Sequence, residues 1–592
     1  MAIPTEPIDL SLLDPVLARY NGRSRTTLLP LLHEVQALYG WLPPEVQQAI
    51  SHTLRVPLAD IHGVIEFYTM FYNQPTAKRV IRVCEDMACS LAGGEAFKQT
   101  LEERLGLHHG QTSPDGSVTY ERVPCLGMCE QAPSGLVGER PFGNLTPADV
   151  PAFLDGELDP APLKIYGEPL LKLFRAGKVD PTSLDSYLAH DGYRDLRKAL
   201  AMTPNEIINM LKASDVLGRG GAMFPVGLKW GFTRQAAGST AQKHIIANAD
   251  ESEPGTFKDR VLMEHDPFSL IEAMTIAAYA VGAENGWIFL RGEYPLCAER
   301  LENAIRQARA AGYLGQNLMG RKGFHFDIEL RLGAGAYICG EETALFEAIE
   351  GKRGFPRIKP PFPTTHGLFG QPTAVNNIET LVATMAVIRL GLDEWNKLGT
   401  AESPGTKWFC LSGHIARPGL YEVPFGLTIR ELIEMAGGVP DGKAIQAVLL
   451  GGAAGVFIGQ KRLDVPLTYE DAKANQFPIG SGVVLVFDET ADLRQPLYQL
   501  ARFFAHESCG KCFPCQLGTQ RQLEILARIA GRPVAHNGHN SHNGPAAIVY
   551  ASDKNDLLDI GFAMTETSLC GLGQTAASAV ISALELWPEL AE

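Results

Sequence analysis

Eight of the eleven cysteines fall into two sets whose spacing is typical of iron–sulfur ligands. The first set is Cys84, Cys89, Cys125 and Cys129, and the second is Cys509, Cys512, Cys515 and Cys570. Iron–sulfur clusters transfer one electron at a time. Two such sets on one chain therefore predict an electron path.

In the second set, three cysteines lie three residues apart, so they can bind three corners of a cubane cluster, and the distant Cys570 can bind the fourth. A C-x2-C-x2-C run with one remote cysteine is a usual ligand pattern for [4Fe–4S]. Structural zinc also takes four cysteines, but it more often uses two separate C-x2-C pairs. This set therefore favours a [4Fe–4S] cluster over zinc.

The first set consists of two pairs separated by 35 residues, and here zinc is a serious competitor. Neither pair has the C-x2-C spacing of a zinc knuckle, and Cys84-x4-Cys89 is wider than zinc usually uses. Spacing alone favours [2Fe–2S] but leaves zinc open. We expect Cys297, Cys339 and Cys410 to be ordinary core residues.

Two glycine-rich loops are candidates for binding a phosphate-bearing cofactor. The first runs from Gly218 to Pro225 and is followed by Lys229; a flexible loop without a ligand is an equally good interpretation. The second runs from Gly333 to Gly340, but Glu341 and Glu342 follow where a P-loop has lysine. Carboxylates repel phosphate and accept hydrogen bonds from ribose, which favours a dinucleotide, and NAD over NADP.

Two further segments surround these loops. Asn248 to Asp259 places several acceptors just after a predicted strand, and a solvated acidic turn is the alternative interpretation. Arg357 to Pro363 is a rigid segment that combines basic, aromatic and proline residues.

Composition limits the class of protein. The chain has 592 residues, a prior of about four domains. The net charge of -15 argues against general nucleic-acid binding. The N-terminus has no basic region of a signal peptide, and the apolar stretch 447–459 is too short to span a bilayer. We expect a cytoplasmic protein, whose thiols stay reduced for metal.

Hydrophobic periodicity and turn residues divide the chain into five regions. Helical spacing covers residues 1 to about 75, and strand-like runs at 79–83 and 118–123 lead into Cys84 and Cys125. Helix caps are predicted at Thr203 and Thr428. The predicted boundaries are 1–155, a connector at 156–195, then 196–400, 401–490 and 491–592. The tract 536–544 is rich in His and Asn; a surface loop is the favoured interpretation, and metal binding the alternative.

With these motifs in place, the chain resembles a known family. Four runs resemble the flavoprotein subunit of the NADH-oxidising module of complex I. They are Gly218-Arg219-Gly220-Gly221, the run from Asn248 to Gly255, the run from Gly333 to Glu342, and Lys359-Pro-Pro-Phe-Pro. Two later runs also resemble this subunit: Asn376-Asn377-Ile-Glu-Thr and Glu507-Ser-Cys509. Residues 1 to about 155 resemble that module's separate thioredoxin-like [2Fe–2S] subunit. A single chain with both parts resembles the β subunit of NAD-dependent formate dehydrogenases and the diaphorase subunit of NAD-reducing hydrogenases.

The resemblance implies an α/β multidomain fold: a thioredoxin-like [2Fe–2S] domain, a Rossmann-like FMN/NADH domain, a small ubiquitin-like β-grasp domain and a C-terminal helical bundle with [4Fe–4S]. It also makes [2Fe–2S] the expected occupant of the first cysteine set. The implied FMN contacts are Gly218, Arg219, Gly220, Lys229, Asn248, Asp250, Glu251, Ser252, Tyr337, Gly340, Glu341, Asn376 and Asn377. Lys229 would meet the FMN phosphate. Glu253 and Glu342 would face the NADH ribose or carboxamide, and Phe224, Phe232, Lys359 and Phe362 the adenine end.

The implied activity is hydride exchange between NAD(H) and FMN, with single electrons passing through [4Fe–4S] and [2Fe–2S] to or from a partner. No catalytic acid or base is expected, although Glu251 and Glu342 lie nearby in the motifs. The favoured partner is an iron–sulfur-containing formate dehydrogenase subunit. A hydrogenase subunit or a complex I-type module is the alternative, and a zinc-stabilised nucleotide-binding scaffold is the alternative of another class. Met223 departs from the family, which usually has glycine there.

Overall fold

The computed structural model describes residues 8–236, 242–532 and 549–591; the tract 536–544 lies outside the described residues. Three separate sheets organise the described chain. Among the described helices, none is both long enough and apolar enough to cross a bilayer.

Four helices come first, as the helical spacing predicts. They are α1 (Asp14–Tyr20), α2 (Leu28–Tyr39), α3 (Pro44–Leu54) and α4 (Leu58–Phe67). The apolar residues Leu31, Leu32 and Val35 of α2 are fully buried. His33, on the same helix, places Nε2 3.0 Å from the Gly333 carbonyl oxygen, so this helix packs on the second glycine-rich loop.

The next region is a five-stranded sheet in the order β2-β3-β1-β4-β5. Its elements are β1 (Arg79–Cys84), α5 (Met87–Leu91), α6 (Gly94–Leu105), β2 (Gln111–Thr112), β3 (Val118–Val123), β4 (Gly135–Val137), β5 (Arg140–Phe142) and α7 (Val150–Asp155). β1 and β3 are parallel, with Cys84 opposite Val123. Because parallel strands end at the same edge, this pairing brings both cysteine pairs of the first set to one place.

The predicted connector contains β6 (Ile165–Tyr166) and α8 (Leu184–Ala189), and α9 (Arg194–Leu200) follows. It is more than a linker, because β6 pairs in parallel with a strand around residues 420–421. Lys172, also in this segment, is fully buried.

The central region is built on a four-stranded parallel sheet in the order β10-β7-β8-β9. Its elements are α10 (Pro204–Ala213), α11 (Val226–Gln235), β7 (His244–Ala249), α12 (Lys258–His265), α13 (Pro267–Val281), β8 (Asn285–Leu290), α14 (Pro295–Ala310), β9 (Asp327–Leu332), α15 (Glu342–Ile349), α16 (Pro363–His366), β10 (Thr373–Asn377), α17 (Ile378–Leu390) and α18 (Leu392–Trp395). The cap at Thr203 is confirmed as a capping box with Glu206. Every residue of α13 is buried, which makes this helix the centre of the core.

A mixed six-stranded sheet follows, in the order β14-β13-β15-β11-β12-β6. Its elements are β11 (Thr406–Gly413), β12 (Gly419–Pro424), α19 (Ile429–Met435), β13 (Ile445–Leu450), β14 (Val456–Ile458), α20 (Tyr469–Ala474) and β15 (Val483–Asp488). The cap at Thr428 is confirmed as a capping box with Glu431.

The last region is helical. It contains α21 (Arg494–Glu507), α22 (Phe513–Ile529), α23 (Asp553–Thr567), α24 (Gly571–Thr575) and α25 (Ser578–Leu586). In the second cysteine set, Cys509 and Cys512 lie between α21 and α22, Cys515 lies in the first turn of α22, and Cys570 lies just before α24. Cys297, Cys339 and Cys410 are buried, as predicted for core residues.

The contact of His33 predicts acid sensitivity of the N-terminal helices. Burial lowers the pKa of His33 to about 4, although its hydrogen bonds to backbone carbonyls oppose the shift. The folded-state pKa lies below the unfolded value of about 6.5. The contribution of His33 to stability is therefore fully present above pH 6.5 and is lost as the pH falls toward 4. We expect a local loss of about 1–2 kcal/mol between pH 7 and pH 5, because the ring is partly exposed.

Hydrogen exchange of the α2 amides at the two pH values measures this loss. His33→Gln removes the titrating ring and is expected to flatten the pH dependence. His52→Gln, which changes an exposed histidine on α3, is the matched control. Equal acid sensitivity in the wild type and the His33 variant would contradict the prediction.

Candidate functional site

The predicted cofactor residues meet at the carboxyl edge of the four-stranded sheet. Asn248 lies at the end of β7 with Asp250 just after it, and Asn376 and Asn377 end β10. β8 and β9 lie on one side of β7 and β10 on the other, so the strand order reverses between β7 and β10. Ligands of open α/β sheets bind in the crevice at such a reversal.

The first glycine-rich loop closes over the end of β10. A bridge between Leu217 and Pro225 closes the loop at its base, where the Gly218 amide donates to the Phe224 carbonyl at 3.0 Å. A Cβ atom on Gly220 would lie 3.1 Å from the Cβ of Asn377. The absence of that side chain lets the loop backbone approach the strand end, as a bound phosphate or flavin requires.

The two basic residues of this segment differ in where they direct their charge. The Arg219 guanidinium is buried and donates to the Tyr469 hydroxyl at 2.6 Å, while it lies 4.7 Å from the Phe425 ring centroid. The Arg219 side chain is directed away from the loop. Its backbone amide donates to Thr380 Oγ1 at 2.8 Å. Lys229 Nζ donates to the Val375 carbonyl at 2.9 Å, and burial lowers its pKa. Of the two side chains, Lys229 is the one at the end of β10.

The acidic run after β7 is buried. The carboxylate of Glu251 accepts hydrogen bonds of 2.9 Å from the amides of Asp259 and Arg260 at the start of α12. Burial, reinforced by Asp259, raises the pKa of Glu251 to about 8. Burial also raises the pKa of Asp250 well above its usual range. Burial therefore disfavours the charged form of both groups, so the crevice carries less negative charge than its sequence suggests.

Glu253 is held by two separate regions. Its carboxylate accepts a hydrogen bond of 2.5 Å from the Tyr337 hydroxyl and one of 2.8 Å from the Ala454 amide in the six-stranded region. Burial raises its pKa. These contacts join the acidic run, the second glycine-rich loop and the six-stranded sheet around one side chain.

The residues predicted to face the nucleotide lie on the surface. Phe224, Phe232 and Phe362 are 42%, 49% and 58% exposed, which is unusual for phenylalanine. Lys359 Nζ donates to Glu341 at 3.0 Å and to Glu342 at 2.7 Å. Although burial opposes the shift, Glu342 and Glu341 raise the pKa of Lys359.

Met223 adds an exposed apolar side chain to the first glycine-rich loop. It has φ 52°, in the left-handed region that favours glycine. Met223 and Phe224 are adjacent in the sequence, and both expose an apolar side chain.

The first cysteine set is sealed inside the protein. Cys84, Cys89, Cys125 and Cys129 are 1%, 1%, 1% and 4% exposed, and the Sγ atoms of Cys125 and Cys129 lie 3.3 Å apart. The Gly127 amide donates to Cys125 Sγ at 3.4 Å. Amides that point at cysteine sulfur are the donors that a ligated cluster needs.

The second cysteine set lies nearer the surface. Cys509, Cys512 and Cys570 are partly exposed, and Cys515 is buried. A Cβ atom on Gly573 would lie 2.8 Å from Cys515 Cβ, so the loop after Cys570 packs directly on the loop of the other three. Backbone amides of Leu572 and Gly573 hydrogen-bond to Cys570, but burial outweighs them and raises its pKa to about 11.

Within the described residues, no three His, Cys, Asp or Glu side chains are arranged as ligands of one metal ion. The iron–sulfur interpretation therefore depends on cysteine spacing, sulfur-directed amides and the family to which the chain is similar.

Sequence reasoning missed Arg291, and it named Glu507 only as part of a family motif, without a contact. The buried Arg291 donates to the Cys125 carbonyl and, at 2.9 Å, to the Glu251 carbonyl. Glu507, two residues before Cys509, accepts from the Tyr337 amide at 2.8 Å. Arg291 directly follows β8 at the same sheet edge, and that position is the signal that could have identified it.

Four protein families match the chain. The thioredoxin-like [2Fe–2S] ferredoxin family covers residues 13–157, and the Nuo51 FMN-binding domain covers 211–386. The SLBB domain covers 409–454, and the NADH-ubiquinone oxidoreductase-F iron–sulfur binding region covers 496–592. These matches confirm the predicted fold class and the predicted FMN, [2Fe–2S] and [4Fe–4S] cofactors.

Similar proteins cover nearly the whole chain. The NAD-reducing hydrogenase HoxS subunit alpha of Cupriavidus necator is 35% identical over 97% of this chain and 93% of its own. A subunit of the NADH-quinone oxidoreductase of Aquifex aeolicus is 42% identical over 73% of this chain and 96% of its own. A crystal structure of an NAD+-reducing [NiFe]-hydrogenase in the H2-reduced state contains a chain with a TM-score of 0.82 and 32% identity, covering 96% of this chain and 92% of that one.

Substitution of a single cysteine is expected to remove one cluster and to leave the other in place. Cys570→Ala should lose about four of about six irons per chain, and Cys84→Ala about two. Cys297→Ala, which changes a fully buried cysteine outside both sets, should keep all of them. Iron analysis with EPR of the dithionite-reduced protein checks this. A colourless wild-type protein with zinc and no flavin absorbance would overturn the interpretation of both sets.

The contacts of Glu253 generate a second prediction. Tyr337→Phe removes one of the two groups that donate hydrogen bonds to Glu253. Loss of a partner by a buried polar group typically costs about 1–3 kcal/mol of free energy. We expect NADH oxidation with an artificial acceptor to slow by about tenfold, with unchanged iron content. Tyr421→Phe removes a hydroxyl that donates to the Arg417 carbonyl and is the matched control. Equal rates in the two variants would refute a role for this contact.

Proposed function

Because the chain belongs to the family of diaphorase subunits that join a thioredoxin-like [2Fe–2S] domain to the FMN-binding flavoprotein of complex I, we propose that it exchanges hydride with NAD(H) inside a larger complex. As an NADH oxidoreductase component it uses FMN, NAD(H), one [2Fe–2S] and one [4Fe–4S] cluster. The observation that carries the proposal is that the crevice is bonded directly to both cysteine sets, through Arg291 and through Tyr337 with Glu507.

The side chains of the crevice have separate tasks in this proposal. FMN, when bound, accepts the hydride and releases single electrons. Gly218 and Gly220 allow the backbone to approach the cofactor, and Asn376 and Asn377 present polar groups where α17 begins. Lys229 supplies positive charge to the phosphate end. Glu253, fixed by Tyr337 and Ala454, orients the nicotinamide side of NADH.

The surface residues favour NAD over NADP. Glu341 and Glu342 both hold Lys359, so the ammonium is already compensated by two carboxylates. A 2′-phosphate would add negative charge beside this pair, whereas a ribose hydroxyl can donate to it. Phe224, Phe232 and Phe362 offer apolar area for the adenine end.

Burial assigns different roles to the two clusters. The first cysteine set is enclosed by its own chain: Arg502 pairs with Glu85 at 3.0 Å and Gln499 donates to Ser90 at 2.8 Å on one side, and Arg291 contacts Cys125 on the other. We therefore propose that the cluster held by this set stores electrons. The second set is partly exposed and is the exit.

The surface around the second set suits a partner protein. Phe513, within the cysteine loop, is 72% exposed, and Phe562 on α23 is 70% exposed. Leu517, one turn after Phe513 on α22, is also exposed. Exposed aromatic residues beside an electron exit favour a partner subunit that carries its own iron–sulfur cluster.

The fused arrangement favours formate dehydrogenase as the partner, and a hydrogenase or a complex I-type module is the alternative. The match to HoxS subunit alpha over 97% of the chain favours a hydrogen-oxidising partner. We therefore propose a hydrogenase-type complex, with formate dehydrogenase as the second candidate. We place the complex in the cytoplasm, because eight thiols must stay reduced until clusters form.

Reduction of NAD+ by the native complex distinguishes the partners. We expect the complex purified through this chain to reduce NAD+ with H2 and not with formate, and to prefer NAD+ over NADP+. Formate-dependent reduction without H2-dependent reduction would reverse the choice of partner. A complex that transfers no electrons between NADH and any acceptor would refute the diaphorase function itself.

A further inference from the structure

A buried group of charged residues joins three regions of the chain beside the crevice. We call Lys172, Lys258, Lys407 and Glu379 the lysine cluster. Lys172 comes from the connector, Lys258 and Glu379 begin α12 and α17, and Lys407 lies on β11. Each of the four side chains is at most 1% exposed.

Three ammonium groups surround the one carboxylate. Lys172 Nζ donates to Glu379 at 2.7 Å, and the Nζ atoms of Lys258 and Lys407 each lie 3.5 Å from its other oxygen. Burial alone would raise the pKa of Glu379, but Lys172, Lys407 and Lys258 together hold it well below its usual range. The carboxylate is therefore ionised at every physiological pH.

Positive charge is in excess around this group. Asp259 lies 2.7 Å from Lys258, and Glu422 lies 3.9 Å from Lys172. With Glu379, these are three carboxylates against three lysines. Glu251 also acts on Lys258, but burial raises the pKa of Glu251 to about 8, so this group adds little negative charge at pH 7. The buried guanidinium of Arg219 adds a fourth cation that reaches only aromatic groups and a hydroxyl among its described contacts.

Lys407 is the least compensated member. Among the described residues, its Nζ has no hydrogen-bond partner. Burial lowers its pKa to about 8 despite the attraction of Glu379, so most of the side chain is still charged at pH 7. A buried ammonium without a full set of partners is expensive, so its presence calls for a function.

The lysine cluster adjoins the predicted flavin contacts. Lys258 Nζ donates to Asn377 Oδ1 at 2.9 Å, and Asn377 packs against Gly220. A Cβ atom on Gly482 would lie 3.4 Å from Lys407 Nζ, and two residues earlier Gly480 lies against Gly221. Gly220 is therefore connected to the lysine cluster through Asn377, and Gly221 lies beside the segment that reaches Lys407 two residues later.

We propose that the lysine cluster raises the reduction potential of the bound flavin, with Lys407 as the positioning residue that contributes the uncompensated charge. This inference rests on the proposed function, in which FMN occupies the crevice. A hydride delivers two electrons and one proton, so the cofactor gains one negative charge on reduction. A surplus positive charge in a low-dielectric interior stabilises the reduced form more than the oxidised form.

Two substitutions at one position test the proposal. Lys407→Met removes a cation and is expected to shift the ratio of reduced to oxidised flavin about tenfold toward the oxidised form at a fixed applied potential. Lys407→Arg keeps a cation at this position and is expected to leave the ratio near the wild-type value. Spectroelectrochemical titration of flavin absorbance at pH 7, on purified protein with measured FMN content, gives both values.

The control is Lys443→Met, which changes a partly exposed lysine of the six-stranded region paired with Asp488 at 3.2 Å. It should leave the flavin potential unchanged. If Lys407→Met does not fold, Lys407→Gln and Lys172→Met are expected to give the same shift toward oxidised flavin. A full FMN content with an unchanged potential in Lys407→Met, or equal shifts for Lys407→Met and Lys407→Arg, overturns this inference alone. A wild-type protein that binds no FMN overturns the proposed function instead.

Discussion

The arrangement of the site depends on Arg291, a buried guanidinium that contacts the ligand loop of Cys125 and the carbonyl of Glu251 at once. Guanidinium keeps its charge when buried and offers donors in a fixed plane, so it can hold two backbone segments in one orientation. Tyr337 connects the crevice to the other cysteine set in the same way, through Glu507. Electron transfer between cofactors requires constant short distances, and these polar contacts keep the domains in register.

Local sequence signals predicted the parts of the site that depend on neighbouring residues. The strands that lead into Cys84 and Cys125 are found as expected, because a run of β-branched residues specifies its own conformation. The capping boxes at Thr203 and Thr428 are also local, since each involves residues three apart. Parallel pairing of β1 with β3 then places the cysteine pairs together.

Partners distant in sequence could not be predicted in this way. Arg219 appeared suited to a phosphate, but its guanidinium is taken by Tyr469, which lies 250 residues away. Lys172 gave no signal, because a single lysine in a segment rich in proline and glycine looks like a solvated residue. In the first cysteine set, spacing alone favours [2Fe–2S] but leaves zinc open, since both zinc and the cluster accept four thiolates.

The connector has a consequence for the way the polypeptide could be divided. Its strand β6 completes the edge of the six-stranded sheet, and Lys172 lies inside the lysine cluster. A break just after α7 would divide no sheet and would leave the lysine cluster within one product. A break beyond Lys172 would strip a strand from one product and deprive Glu379 and Glu422 of the lysine that lies between them. The boundary at which two ancestral polypeptides can be joined, or separated again by an engineer, is therefore confined to the few residues between α7 and β6.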